Sequence, residues 1–219
     1  LNGKRAIVSA GPTREAIDAV RYVSNSSTGK MGVAIANELH ARGCKVDLVC
    51  GPGVTEPIRH GIAIHNVVTA SQMHATCMEL FPKADLSIMA AAVADYAPSN
   101  PVSHKIKKEA GMEALTSVDF IPTRDILAEM GSHKKPNQFL VGFALESDNE
   151  VTNATQKLQN KNLDLIILNS LRDEGAGFGT DTNKVTLISK SDEILPLPLQ
   201  SKKSVANEVV SFITTKMAK

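Results

Sequence analysis

Apolar and polar positions alternate along the chain in a way that separates strands from helices. Segments with the length of strands cover residues 5–11, 45–50, 62–68, 86–94, 138–145 and 163–168, and the last three are the most apolar. Between them, apolar side chains recur at the spacing of a helix face in residues 33–42, 71–81 and 149–160. The run 86–94 is apolar at nearly every position, which indicates a strand covered on both faces, as in a parallel sheet.

The last part of the pattern adds a hairpin and a closing helix. Residues 184–189 and 193–198 are predicted to form the hairpin, and Val205, Val209 and Ile213 lie on one face of the helix. Strands that alternate with helices predict an α/β fold: a doubly wound, mostly parallel Rossmann-like sheet with helices on both faces. The 219 residues are expected to form a single domain.

One polar segment interrupts this alternation. Residues 98–111 contain two prolines and the basic run His104–Lys108, and they are too long for a tight turn between a strand and a helix. We expect a mobile flap at about residues 97–111, or an arm that crosses to another subunit.

Composition narrows the class of partner. With a formal net charge of +1, no tryptophan and 4% aromatic residues, the chain gives no support for a nucleic-acid or membrane surface. Cys44, Cys50 and Cys77 form neither a C-x-x-C pair nor an even disulfide framework, so we expect reduced thiols and a cytoplasmic location. Because the sequence begins with Leu1, we expect a fragment or a processed product.

The segment from Arg21 to Gly32 carries the clearest chemistry. Small hydroxyl residues and two glycines precede a predicted helix, so exposed N–H groups and the positive end of the helix dipole favour an anion. With Gly11–Arg14, this segment belongs to the edge of the sheet where the strands end and where open α/β sheets bind ligands. The alternative is a surface loop in which Ser27 or Thr28 only caps the helix.

Two further groups of residues are candidates for the same site. Ala90–Ala94 follows a buried strand with side chains small enough for close ligand approach, and Asp95 offers an acceptor for a sugar hydroxyl or a metal-bound water. Asp95 is alternatively a turn or cap residue. The second group is basic and suits a triphosphate and its departing pyrophosphate, although each member is alternatively a solvated surface charge. Its members are Lys105, Lys107, Lys108, Arg124, Lys157 and Lys161.

Several common motifs are missing from the sequence. It has no H-E-x-x-H zinc motif and no G-x-S-x-G nucleophile turn, and Met31 follows Gly29–Lys30 where a P-loop needs Ser or Thr. The first strand lacks a G-x-G-x-x-G turn, and the second ends in Val49–Cys50 instead of an acidic residue for the ribose of NAD. Two alternatives stay open: an NAD(P)-dependent Rossmann-like reductase and a nucleotide-binding module without enzymatic activity.

Seven segments in register resemble the phosphopantothenate–cysteine ligase family in its bacterial, CTP-dependent form. They are residues 10–15, 18–25, 27–32, 90–96, 105–108, 141–144 and 161–166. The resemblance implies one ligase domain over residues 1–219, with no flavin of its own. In many bacteria this domain follows a flavin-dependent decarboxylase, so a fused or associated decarboxylase is an expected partner.

The resemblance implies an amide ligation in coenzyme A biosynthesis. The carboxylate of 4'-phosphopantothenate attacks the α-phosphate of CTP, which gives an acyl-cytidylate and pyrophosphate. The amine of L-cysteine then displaces CMP and forms 4'-phosphopantothenoylcysteine. Mg²⁺ is expected to accompany the triphosphate. Members of the family are homodimers with the flap near the subunit contact, so a homodimer is expected.

The resemblance also implies roles for single residues. Asn25 is the implied catalytic residue whose amide donates to the acyl-cytidylate carbonyl, and Lys105 is the flap lysine that meets phosphate charge. Where the family often has Lys-Asn-Pro followed by Asp, this chain has Ile-Pro-Thr-Arg followed by Asp125. The implied nucleotide-binding residues are Asp95, Lys105, Ile121, Pro122, Thr123, Arg124, Phe143, Lys157 and Lys161. The implied contacts to the substrate and the intermediate are Asn25, Gly29, Lys30, Ala91 and Ala92.

Overall fold

A computed structural model describes residues 1–107, 118–170, 172–173, 175–177 and 179–218. The helices of these residues are α1 (Lys30–Ala41), α2 (Ala70–Leu80), α3 (Ile126–His133), α4 (Glu150–Asn160) and α5 (Lys202–Met217). The strands are β1 (Arg5–Ala10), β2 (Arg14–Ala16), β3 (Tyr22–Ser24), β4 (Lys45–Cys50), β5 (Ala63–Asn66), β6 (Leu86–Met89), β7 (Tyr96–Pro98), β8 (Phe120–Pro122), β9 (Phe139–Glu146), β10 (Leu165–Ser170), β11 (Thr182–Asn183), β12 (Val185–Ser189), β13 (Ile194–Pro196) and β14 (Gln200–Ser201).

The main sheet confirms the predicted fold class. Its eight strands follow the order β13-β12-β10-β9-β6-β1-β4-β5. The six strands from β10 to β5 are parallel to their neighbours, whereas β12 and β13 pair antiparallel as the predicted late hairpin. The sheet is therefore mostly parallel and Rossmann-like.

Helices cover both faces of this sheet because successive side chains of a strand point to opposite sides. In β1, Ala6 and Val8 belong to the core that packs against α1 and α5. Ile7, between them, belongs to the core that packs against α2, α3 and α4. Both cores are buried, so the central strands read as continuous apolar runs in the sequence.

The chain changes direction across the sheet at β1. It leaves β1 through α1 towards β4 and β5, and it later returns to β6 on the other side of β1. A crevice opens at such a switch point beyond the carboxyl ends of the strands. The two loops that follow β1 and β6 meet there through a bridge between Pro12 and Ala92.

Some predicted boundaries were wrong. The run 86–94 is a strand only as far as Met89, since the alanines beyond it leave the ladder at the end of the sheet. Helix α1 begins at Lys30, three residues before the predicted start, directly after the glycine turn. Helix α3 and the antiparallel ribbons β2–β3, β7–β8 and β11–β14 were not predicted.

The predicted flap at residues 97–111 starts in β7, and its last residues, with Lys108, lie outside the described residues. The described part is fastened to the β2–β3 turn. Asp18 accepts hydrogen bonds from the Arg21 guanidinium and from the Ile106 N–H, while Arg21 also donates to the Ile106 carbonyl. Burial alone would raise the pKa of Asp18, but the Arg21 side chain and the backbone donors hold it well below its usual range.

The cysteines are buried and free, as expected. Burial raises the pKa of the Cys50 thiol to about 11 and that of Cys77 to about 12. Both thiols therefore stay protonated near neutral pH, whereas the reactive form of a cysteine is the thiolate. Within the described part of the chain, no helix has the length and apolar character needed to cross a membrane.

Candidate active site

A cavity of about 820 Å³ occupies the crevice at the switch point. Its walls come from the glycine turn before α1, the loop after β6, the start of α3, the end of α4 and the start of α5. Ligand sites usually span about 300–1,000 Å³, so this cavity has room for a nucleotide and a second substrate.

The glycine turn forms an uncapped helix N-terminus in the cavity wall. Gly29 is the N-cap of α1 with φ 77°, and no side chain caps the helix there, so neither Ser27 nor Thr28 serves as its cap. A Cβ on Gly29 would lie 2.6 Å from the Val54 side chain, in addition to the strain of the positive φ. The first N–H groups of α1 are thus available to an anion.

The loop after β6 is held in shape by side chains from other segments. Ser9 Oγ accepts the Ala91 N–H at 3.1 Å, and Thr13 Oγ1 accepts the Ala94 N–H at 3.0 Å. The Thr123 hydroxyl donates to the Ala94 carbonyl at 2.6 Å. These bonds fix the alanine backbone against the cavity, and the small side chains leave it accessible.

Asn25 joins the glycine turn to the same loop. Its amide nitrogen donates to the Ala92 carbonyl at 3.2 Å and to the Val93 carbonyl at 3.0 Å. The expected donation of this amide to a bound carbonyl therefore does not fit the observed arrangement, because both N–H groups face backbone acceptors. The atom that Asn25 offers to a ligand is Oδ1, which can only accept a hydrogen bond.

The α4 end of the cavity holds the predicted lysine pair. Lys157 Nζ donates to the Phe143 carbonyl at 2.9 Å, and Lys161 Nζ lies 2.6 Å from an Asp125 carboxylate oxygen. Burial, and secondarily the charge of Lys161, lowers the pKa of Lys157. Burial would raise the pKa of Asp125, but its bonds from Lys161 and from the Ala128 N–H lower it overall.

The opposite end of the cavity lies between α1 and α5. Lys30 Nζ is 2.5 Å from Asp181 and 3.7 Å from Glu56, and the bond to Asp181 raises the pKa of Lys30. Lys202, which is only 7% exposed, lies on the wall of the same cavity and donates to the Gly177 and Thr180 carbonyls. Burial lowers the pKa of Lys202.

The structure brings most of the predicted site residues to this cavity, whereas Lys105, Lys107, Ile121 and Pro122 lie elsewhere. The residues on the wall are Asn25, Gly29, Lys30, Ala91, Ala92, Asp95, Thr123, Arg124, Phe143, Lys157 and Lys161. Ile121 and Pro122 lie outside the wall, in the exposed ribbon strand β8. Lys105 is exposed and does not contribute to the wall formed by the described residues of its own chain.

Several residues on the wall were missed in the sequence. Asn169 and Ser170 end β10, so the rule that ligands bind beyond the carboxyl ends of parallel strands could have identified them. Asn183 and Lys202 follow the last parallel strand, and no motif marks them.

The described residues contain no group of three or more His, Cys, Asp or Glu side chains placed to hold a metal ion. The cavity instead combines N–H groups, ammonium groups and a hydroxyl-rich turn. This arrangement suits a ligand with several negative charges.

The chain matches a known protein family over nearly its whole length. The family model for the DNA/pantothenate metabolism flavoprotein C-terminal domain matches residues 1–217. The chain is 41% identical over 213 residues to the coenzyme A biosynthesis bifunctional protein CoaBC of Bacillus subtilis. It is 47% identical over 215 residues to a cysteine/cysteine sulfinic acid decarboxylase of an unknown prokaryotic organism. The chain spans 52% of the first relative and 59% of the second.

Solved structures with the same fold cover the whole chain. The crystal structure of the C-terminal domain of CoaBC matches with a TM-score of 0.83 at 36% identity, over 100% of this chain and 97% of that one. A DNA/pantothenate metabolism flavoprotein from Streptococcus pneumoniae matches with a TM-score of 0.77 at 24% identity, over 98% and 99%, which is a likeness of fold.

Proposed function

We propose that this chain, which belongs to the DNA/pantothenate metabolism flavoprotein C-terminal domain family, ligates 4'-phosphopantothenate to L-cysteine with CTP. The products are 4'-phosphopantothenoylcysteine, CMP and pyrophosphate. The observation that carries the proposal is the cavity at the switch point, which joins the glycine turn, the alanine loop and the lysines of α4. The match to the C-terminal domain of CoaBC, a coenzyme A biosynthesis protein, supports the same conclusion.

In the first step, a carboxylate oxygen of 4'-phosphopantothenate forms a bond to the α-phosphorus of CTP, and the bond to the departing pyrophosphate breaks. Negative charge concentrates on the phosphate oxygens during this exchange. Lys157 and Lys161 at one end of the cavity and the N–H groups that follow Gly29 are placed to stabilise it. The fixed backbone of the alanine loop positions the acyl group.

In the second step, the cysteine nitrogen attacks the acyl carbon, CMP leaves with the bonding electrons, and the nitrogen loses a proton. We assign Asn25 Oδ1 to accept an N–H of the attacking amine, because the amide protons of Asn25 are bound to the Ala92 and Val93 carbonyls. This contact orients the nitrogen lone pair towards the acyl carbon. No covalent bond to the protein is needed in either step.

Mg²⁺ fits this site as a companion of the triphosphate. Proteins usually hold Mg²⁺ through one or two carboxylates together with substrate phosphates. Asp95 is on the cavity wall, whereas Asp125 is already bound to Lys161. We therefore assign Asp95 as the residue that would hold the ion, and Mg²⁺ would neutralise phosphate charge there.

We also propose that the protein acts as a homodimer. The neighbouring ribbons β2–β3 and β7–β8 expose Val20, Tyr22, Tyr96, Phe120 and Ile121. Such a cluster of exposed apolar side chains at the flap base suits a second copy of the same surface. Since Lys105 is off the wall of its own cavity, we assign it to the site of the partner subunit.

The relatives are about twice as long as this chain, which supports a decarboxylase as a fused or associated partner. We assign the decarboxylation named for the relative of the unknown prokaryotic organism to the part of that protein beyond the matched region. The buried free thiols are compatible with a reducing compartment, so we propose a cytoplasmic location.

The test is a pyrophosphate-release assay with CTP, Mg²⁺ and 4'-phosphopantothenate, with and without L-cysteine, repeated with ATP. We expect product formation that requires cysteine and prefers CTP. Turnover with ATP alone would retain the ligase and overturn the nucleotide assignment. CTP binding without pyrophosphate release would favour the nucleotide-binding module, and micromolar NADPH binding that CTP does not affect would favour the reductase. Carbon dioxide release from cysteine sulfinic acid would contradict the placement of that activity outside this chain.

A further inference from the structure

The α1–α5 end of the cavity contains a buried cation that the proposed reaction has not used. Lys202 is the first residue of α5 and is 7% exposed, yet it borders the cavity. Its ammonium donates to the Gly177 carbonyl at 3.0 Å and to the Thr180 carbonyl at 2.5 Å. An ammonium carries three N–H donors, so these two bonds leave one donor for a ligand.

Lys202 is bonded to backbone carbonyls, and the charges of Asp181 and Glu56 act on it only from beyond ion-pair distance. Among the described residues, no carboxylate oxygen lies within ion-pair distance of its Nζ, whereas Lys30 has both Asp181 and Glu56. The nearby charge of Lys30 acts with burial to lower the pKa of Lys202. A buried cation without a counter-ion is costly, and binding an anion beside it removes that cost.

Three positive features converge at this end of the cavity. Lys30, Lys202 and the uncapped N-terminus of α1 all border the same space. Asn183 also borders this cavity, and its amide nitrogen contacts the sulfur of Met31 in α1. Lys30 is already paired with Asp181 and Glu56, so the third N–H of Lys202 and the helix N-terminus are the donors left for an anionic group such as a phosphate.

We propose that Lys202 binds a phosphate group of a substrate at this end of the cavity. The proposal rests on the ligase function, because both large substrates of that reaction carry phosphate away from the reacting atoms. The phosphate is either the terminal part of CTP, which leaves as pyrophosphate, or the 4'-phosphate of phosphopantothenate. Lys202 is thus a substrate-binding residue in addition to the lysines of α4.

The test compares Lys202→Met with Lys202→Arg and with Lys203→Met, which removes an exposed lysine from the next position of the same helix. We measure the KM for CTP, for 4'-phosphopantothenate and for cysteine, together with the inhibition constant of pyrophosphate. We expect Lys202→Met to raise the KM for one phosphorylated substrate about 10- to 100-fold, the range for a hydrogen bond to a charged group. Lys202→Arg is expected to restore part of the loss, and Lys203→Met to match the wild type.

The two sources of phosphate give different results. If the terminal phosphates of CTP bind Lys202, the KM for CTP and the inhibition constant of pyrophosphate rise together. If the 4'-phosphate binds Lys202, only the KM for 4'-phosphopantothenate rises. Pantothenate, the probe without this phosphate, should then bind Lys202→Met as well as it binds the wild type. A KM effect on cysteine alone, or an equal change for every substrate with a fall in Tm, would overturn the proposal in favour of a structural role.

Direct binding keeps the proposal testable apart from turnover. Calorimetric titration of the wild-type protein and Lys202→Arg with pyrophosphate and with 4'-phosphopantothenate requires no catalysis. We expect at least one of them to bind the wild type and to bind Lys202→Arg more weakly. Equal affinity of each ligand for both proteins would contradict the role of Lys202 even if the wild type is an active ligase. A wild-type protein that shows no turnover would instead contradict the proposed ligase function.

Discussion

The two ends of the cavity use the same local construction. At the α4 end, Lys161 forms an ion pair with Asp125, and Lys157 is buried and donates to a backbone carbonyl. At the α1–α5 end, Lys30 forms an ion pair with Asp181, and Lys202 is buried and donates to backbone carbonyls. Among the described residues, each end therefore has one ammonium group in an ion pair and one that is bonded to backbone carbonyls.

The ends differ in how the sequence encodes them. Lys157 and Lys161 are four residues apart, so the helical spacing places them on one side before any tertiary contact is known. Lys30 and Lys202 lie in the first and the last helix of the described residues, and only the folded sheet brings them together. Two lysines that local spacing brings together are therefore recognisable as a pair in the sequence, whereas two that only the topology brings together are not.

The largest effect is expected between the two ends, at Asn25. Asn25→Ala removes the acceptor for the cysteine amine and leaves both lysine pairs intact. It should therefore slow the attack of the amine without weakening the binding of phosphate groups. We expect ligation to fall about 10²–10³-fold while pyrophosphate release in the first step persists and the acyl-cytidylate accumulates. Rapid-quench analysis measures both steps, and wild-type product formation would refute the role of Asn25.

The α4 end is expected to give the next largest effect. Lys157→Met keeps most of the aliphatic packing and removes the buried charge. We expect the KM for CTP to rise about 10- to 100-fold, with a smaller change in the KM for 4'-phosphopantothenate. Steady-state kinetics beside Lys202→Met then show whether the two ends serve the same substrate. An unchanged KM for CTP would place the nucleotide elsewhere.

A third prediction concerns the lysine that neither end contains. If Lys105 acts in the partner's site, a dimer of one Asn25→Ala subunit and one Lys105→Ala subunit has one intact site out of two. About half of the dimers are mixed after subunit exchange, so we expect about a quarter of the wild-type activity to return. The measurement is turnover after co-refolding, with each variant alone as a control. No recovery in verified mixed dimers would assign Lys105 to its own chain.

The smallest effect is expected from the ion pair between Asp125 and Lys161 at the α4 end. Asp125→Asn keeps the oxygen that caps α3 but removes the charge. We expect it to lower the free energy of unfolding by less than about 1 kcal/mol, because the Asp125 side chain is half exposed. The folded-state pKa of Asp125 is below its ordinary value of 3.8. The stabilisation is therefore present above pH 3.8 and is lost as the pH falls through the folded-state pKa.

Thermal unfolding from pH 7 to pH 2 measures this dependence. The Tm difference between the wild type and Asp125→Asn should be constant near neutral pH and should disappear in acid. Asp181→Asn should show the same sign, because the bond from Lys30 also lowers the pKa of Asp181. A Tm difference that grows in acid would contradict the assignment of these carboxylates to ion pairs.

Strong local patterns explain which parts of the fold were predictable. The parallel strands are apolar on both faces, and α4 has clear helical spacing, so both were identified from the sequence. Helix α3 spans only eight residues and ends in Gly131-Ser132-His133, which gives little periodicity. The ribbon strands β2, β3, β7 and β8 are three residues long and depend on contacts with distant segments.

The candidate site divides in the same way. Residues in the loops after β1 and β6 were predictable from their position at the carboxyl ends of adjacent strands. The hydrogen bonds of Asn25 to the Ala92 and Val93 carbonyls were not, because they join segments that are 67 and 68 residues apart. The family resemblance pointed to Asn25, but it could not show which atoms of its amide bind the alanine loop.

The position of the Asn25 amide nitrogen limits which residues position 25 can accept. Asp would direct a carboxylate at two carbonyl oxygens within about 3 Å, and the mutual repulsion would push the alanine loop away from the turn. Ser is too short to reach both carbonyls, and Gln is one methylene too long for the same span. Asparagine at this position therefore holds the alanine loop and also provides the proposed acceptor for the cysteine amine. We expect both roles to restrict which residues occur at position 25 in natural sequences.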